Sequence, residues 1–134
     1  MAKNEILRLK KDDELISGIV SFCKANNIKS AWFTGLGAAQ NAELGLYNLD
    51  SKEYTKKEIE GPLEFANITG NIALKDNDIA VHCHATLSDK NMIAYAGHVD
   101  KAIIGATCEI VFRILEVSLT RKHDDEIGLN LLEI

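Results

Sequence analysis

One stretch of this chain carries a helical period, and nearly everything else alternates with a period of two; that contrast limits what it can fold into. Leu15, Ile16, Ile19, Val20 and Cys23 recur at helical spacing and form a single apolar stripe. Asp12, Asp13 and Glu14 are expected in the first turn, where carboxylates favour the positive end of the helix dipole. Lys24 falls near the other end, and Asn26-Asn27 is a stop signal. The spacing predicts a helix over about 12–25.

The remainder reads as strands broken by turn formers. Residues 4–9 form a first strand, and 29–34 a second that runs into Gly35-Leu36-Gly37. Residues 42–48 and 53–59 flank Asn48-Leu49-Asp50-Ser51, and the second of them carries Lys56, Lys57 and Glu58, the mark of an exposed edge. Gly61-Pro62 punctuates, and strands follow at 63–74, 79–87, 92–99 and 106–118, the last expected to be the longest. In the 106–118 run, Cys108, Ile110, Phe112 and Ile114 share one apolar face. Residues 127–134 are too apolar for a free tail and are expected to dock on this domain or on a neighbouring copy. One helix against a mostly antiparallel central sheet is an α+β architecture.

The length of 134 residues suits a single domain over 1–134, large enough to bury a core without staples. Shares of 46% hydrophobic and 26% charged residues fit a soluble globular protein. Fifteen Lys+Arg against twenty Asp+Glu give a net charge of −5, which argues against nucleic-acid binding by the bulk surface. The three cysteines include no C-x-x-C pair, which excludes a disulfide scaffold and a zinc ribbon. No leader pattern opens the chain, and no apolar run approaches the ~20 residues a membrane helix needs. The expectation is a reduced, cytoplasmic protein with no membrane partner.

Chemistry concentrates on histidine. His82 and His84 are two residues apart in a strand and project from one face, with Val81, Cys83, Ala85 and Leu87 on the other. A hairpin centred on Lys90 sets His82 directly opposite His98, with His84 on the diagonal, so that three imidazoles converge. Three such ligands suit zinc and leave a coordination position open. A hairpin shifted by one pairing step sets His98 against Val81 and aims it at the wrong face. The bare spacing alone favours two hydrogen-bonded histidines on a polar face. No carboxylate follows His84 at the interval of a cupin, which excludes that reading.

Glu64 is the second candidate, because the alternation puts it in phase with Ala66, Ile68, Ile72 and Leu74. A carboxylate on an apolar face is a metal ligand, a general base, or one end of an ion pair with Arg113 or Lys101, the ion pair being the commoner case. Gly35-x-Gly37 lacks the third glycine of a dinucleotide loop and reads as a tight turn. Cys23, Cys83 and Cys108 read as packed, and His123 as a solvated loop residue.

Several segments in this order resemble the plants-and-prokaryotes-conserved (PPC) domain: Arg8-Leu9, Thr34-Gly-Leu-Gly-Ala38, Leu44-Gly-Leu-Tyr-Asn48, Glu60-Gly-Pro-Leu-Glu-Phe65 with Ile68-Thr-Gly-Asn71, Val81-His-Cys-His-Ala85 with Leu87-Ser-Asp89, Ala96-Gly-His98, and Arg121 with Gly128-Leu129. The resemblance implies an α+β domain assembled as a homotrimer. It implies histidine ligands at His82, His84 and His98 for a divalent metal such as zinc, and it places the family's acidic position at Glu64, in a segment that plant members are thought to use toward protein partners. Two departures stand out. No AT-hook stretch occurs, so the direct DNA-reading element of the plant proteins is missing, and Ala96 replaces a family glycine, which is expected to narrow the space beside His98.

Two functions compete at this point. One is a stand-alone, metal-binding, homotrimeric module with a regulatory or DNA-associated role, a protein partner, and little direct grip on DNA. The other is a zinc-type hydrolase or lyase acting on a small molecule, with Glu64 as its base.

Overall fold

The computed structural model describes residues 3–134 and contains seven strands and one helix. In chain order they are β1 (Asn4–Lys10), α1 (Leu15–Ala25), β2 (Ala31–Asn48), β3 (Glu53–Lys75), β4 (Asp78–Ser88), β5 (Ala94–Ile114), β6 (Thr120–Asp124) and β7 (Leu129–Glu133). All pairings are antiparallel except one bridge between β3 and β6, Leu74–Thr120. The architecture is thus an α+β fold weighted heavily toward β, with a minor helix.

The sheet closes on itself. β2 pairs with β3 on one side and β5 on the other, while β4 pairs with β3 and with the start of β5. The ring β2-β3-β4-β5 has no free edge where it closes, which is how small β proteins avoid exposed ladders. β4 meets β5 only from His84 to Ser88. Beyond that rung they have no ladder, and α1 packs against both. Phe33, Ile68, Ile72, Leu87, Ile104, Ile110 and Phe112 fill the interior with Leu15, Ile19 and Cys23 from the helix. The Phe33 and Phe112 rings lie 5.4 Å apart, tilted by 49°. All three cysteines are buried and free, and burial pushes each thiol up to about 12.

The strands run longer than their turn residues predict. Gly35-Leu36-Gly37 is no tight turn: β2 passes through it with a register shift, and Gly37 sits at φ +154° against the backbone of Thr107 and Cys108, too close for any Cβ. Gly61-Pro62 lies at the shift between Ala39 and Asn41, where a missing N–H breaks no ladder bond. β3, not the 106–118 run, is therefore the longest strand, and β5 ends at Ile114. Residues Glu53–Glu60 pair only with β2, so the charged segment does lie at an edge. The C-terminal residues dock as the β6–β7 hairpin, which puts the exposed His123 in a strand and not a loop.

The helix begins at Leu15, later than the acidic run suggests. Asp12 adopts φ 76° in the preceding turn, and Glu14 is the N-cap. The Glu14 carboxylate accepts from Ile16 N and Ser17 N at 2.9 Å each, and from Ala102 N at 3.2 Å. It thereby fastens the helix start to β5. At the far end Asn27 takes the left-handed conformation (φ 54°), Asn27 N donates to Lys24 O, and Ile28 N donates to Cys23 O, a Schellman closure with Ile28 buried. Replacing Glu14 by Ala removes the cap and leaves Ala102 N unpaired, so chemical denaturation should show a loss of about 2 kcal/mol. An unchanged denaturation midpoint would contradict this role for Glu14.

Candidate metal centre

Alternation along β4 buries Cys83, Ala85 and Leu87 and turns His82 and His84 outward from the core. Their β3 neighbours are Asn71 and Thr69. His98 enters from β5, paired with His84 on one side and with Gly45 of β2 on the other. The direct partner of His98 is thus His84, and His82 takes the diagonal, the reverse of the expected arrangement. The hairpin pivots one residue further on, at Asn91. Its turn is held by Asp89, whose carboxylate accepts from Asn91 N at 2.8 Å, Ile93 N at 3.2 Å and the Tyr95 hydroxyl at 3.0 Å, and Met92 supplies a left-handed residue. Moving the pivot by a whole residue shifts the pairing by two, which preserves the face, so the three histidines still converge.

Ligand atoms of the three rings all lie within 4.8 Å of one another. His82 Nε2 and His84 Nε2 are 3.2 Å apart, and the ring centroids are separated by 5.0, 5.6 and 5.5 Å. His84 is exposed; His82 and His98 are half-buried. Gly45 leaves room for the Tyr54 ring, which lies 5.0 Å from that of His98. His98 Nδ1 is buried without a hydrogen-bond partner, an orphaned polar atom of the sort that a bound ion or water resolves. Neutral imidazoles crowded this closely, with one ring nitrogen unsatisfied, fit a late first-row divalent cation.

Electrostatics favour the neutral rings. Burial lowers the His82 pKa to about 4, helped by the Arg121 guanidinium and then by His84 and His98. Burial also lowers His98, followed by His84. Arg121, on β6, lies against this face: its Nη2 donates to Asn71 Oδ1 at 2.8 Å and stands 3.4 Å from His82 Nδ1, and its Nη1 donates to Asn130 O at 2.8 Å. A guanidinium only donates, so the contact with His82 leaves the ring proton on Nε2. Ligation through Nε2 demands the opposite tautomer, and Arg121 then loses that acceptor. Arg121 reaches the site through the single β3–β6 bridge. In the sequence it is one cation in the charged run Arg121–Asp125, and no local periodicity marks its place.

Glu64 stands elsewhere. A register shift between Phe65 and Asn67 changes the phase of β3, so Leu63 and Phe65 are buried on one side of it and Ile68 and Ile72 on the other. Glu64 is exposed and faces Ser88, five ladder residues from the Thr69–His84 pair, and neither Arg113 nor Lys101 forms an ion pair with it. Ala96 is exposed and paired with Thr86.

The fold and the histidine geometry define a histidine-bearing β domain, and the family follows. A family model of the Plants and Prokaryotes Conserved (PCC) domain matches residues 2–116, and the chain belongs to that family. The match stops short of the β6–β7 hairpin that carries Arg121. A metal-containing protein from Archaeoglobus fulgidus is similar at 32% identity and TM-score 0.90, over 98% of this chain and 94% of that one. A plant- and prokaryote-conserved protein from Pyrococcus horikoshii is similar at 27% identity and TM-score 0.91, over 100% and 95%. A Bacteroides thetaiotaomicron protein named provisionally for DNA binding is similar at 27% identity and TM-score 0.93, over 99% and 96%. No curated protein matches the chain in sequence. No helix among the described residues is long and apolar enough to cross a membrane.

Protons compete with metal for imidazole, and two of the three rings resist protonation below the ordinary 6.5. Between about pH 6 and pH 5, log affinity for zinc should therefore fall less steeply than the slope of about three that three ordinary histidines give. Chelator competition reads that slope directly, and a value near three contradicts the electrostatic account.

Proposed function

We propose that this PCC-domain protein binds one divalent metal per chain, zinc first among candidates, through His82, His84 and His98, and that the loaded protein works as a homotrimeric regulatory module. The convergence of three ring nitrogens within 4.8 Å carries the reading. The relative from Archaeoglobus fulgidus, described as metal-containing, supports it. Three protein ligands leave a coordination position for water or a small ligand.

Self-assembly is supported by a second feature. Ile6, Trp32, Leu36 and Val111 are exposed on the outward face of β1, β5 and β2, with Ile6 opposite Val111. An uncovered apolar sheet face of this kind suits contact with further copies. Names of relatives support a DNA-associated role, while the charge of −5 and the lack of an AT-hook in this sequence favour action through protein partners over a direct grip on phosphates. The hydrolytic alternative finds less support, because the cavity beside the histidines is lined by no carboxylate that could serve as its base.

Elemental analysis of untagged protein, combined with native mass measurement, tests this function. The expected result is close to one zinc-type metal per chain in a three-chain particle, with loss of metal but not of fold in His84→Ala. Metal far below one per chain after incubation with zinc, or full loading of the variant, would overturn it.

A further inference from the structure

Beside the histidines lies a cavity of about 240 Å³, bounded by His82, His98, Arg121, Tyr54 and the apolar side chains of Val81 and Leu131. In a chain of net charge −5, not one of its lining residues is acidic. Arg121 has no carboxylate partner among the described residues. Its hydrogen bonds to Asn71 and Asn130 fix the guanidinium plane but leave N–H groups unspent. Ligation of His82 through Nε2 frees one more, since the protonated Nδ1 no longer accepts from Arg121. A half-buried cation without a counter-ion, next to a site for a dication, is an anion receptor, and a guanidinium matches the planar fork of a carboxylate.

We propose that this cavity binds a small carboxylate with a short apolar tail, its carboxyl group held by Arg121 beside the open metal position and its carbon chain against Val81 and Leu131. The inference rests on the metal-binding reading above and names the class of ligand that site would take. The volume is ample for a carboxylate with a short carbon chain. Inorganic phosphate shares the charge but gains nothing from the apolar wall, so it is the discriminating competitor.

The test uses the full chain loaded with Co²⁺, whose visible absorption reports the metal's ligands, titrated with acetate, butyrate, hexanoate and inorganic phosphate. Metal content is measured first and separately, so a failure to load counts against the metal site and is not confused with failure of the anion site. The expected result is saturable binding that tightens from acetate to butyrate, with phosphate weaker than butyrate. Arg121→Gln, compared at its own measured metal content, should weaken butyrate per loaded site by about tenfold or more, the loss expected for a charge-assisted pair. Arg121→Lys should recover only part of it, because an ammonium cannot form the two-pronged contact. Fully loaded protein that binds no carboxylate, binds phosphate better than butyrate, or binds butyrate equally well as Arg121→Gln would overturn the proposal.

Discussion

The short ladder between β4 and β5, from His84–His98 to Ser88–Ala94, closes the ring of strands and sets two histidines side by side at its first rung. Cross-strand pairs are worth only about 0.2–1 kcal/mol each, too little to choose a register unaided. The choice is made underneath. Cys83, Ala85 and Leu87 lie in the core directly behind His82, His84 and Thr86. A slip of one residue would expose Leu87, at a cost of about 1.5–3 kcal/mol, and press the imidazoles into hydrocarbon. The chemistry on one face is thus held in place by the oil on the other.

Charge is distributed to the same end. Acidic residues outnumber basic ones in the chain, yet the charged neighbour of His82 is Arg121, tied to Asn71 on β3 and to the backbone of Asn130 on β7. Burial, helped by that cation, keeps His82 neutral. The guanidinium also opposes a metal cation electrostatically. Asp100 lies near His98 and acts in the other direction, though it is already engaged by Lys56 at 3.0 Å. A site built from neutral ligands beside a guanidinium keeps its positive charge, which suits it to anionic ligands.

Much of this was legible in the sequence, for reasons that differ by element. The helix stripe and the alternation in Cys108–Phe112 and Val81–Leu87 are local patterns enforced by burial, and they appear where expected. The three-histidine face was readable because a period of two survives any even shift in register. What was not readable depended on irregularities. A shift after Phe65 reverses the phase of β3 and takes Glu64 off the apolar face, and glycines at 35, 37 and 61 permit shifts within long strands where turns were expected. Arg121 was readable only as a position in the family pattern, with no role, because one parallel bridge after a loop, not any local pattern, delivers it to the site.

The gathering of three imidazoles around one ion is the claim on which the chemistry stands. X-ray absorption at the zinc edge of the loaded protein tests it without reference to any activity. The account predicts about three imidazole nitrogens at ~2.0–2.1 Å with one further light ligand and the multiple scattering of intact rings. Sulfur at ~2.3 Å, or a shell of oxygens with a single imidazole, would contradict it.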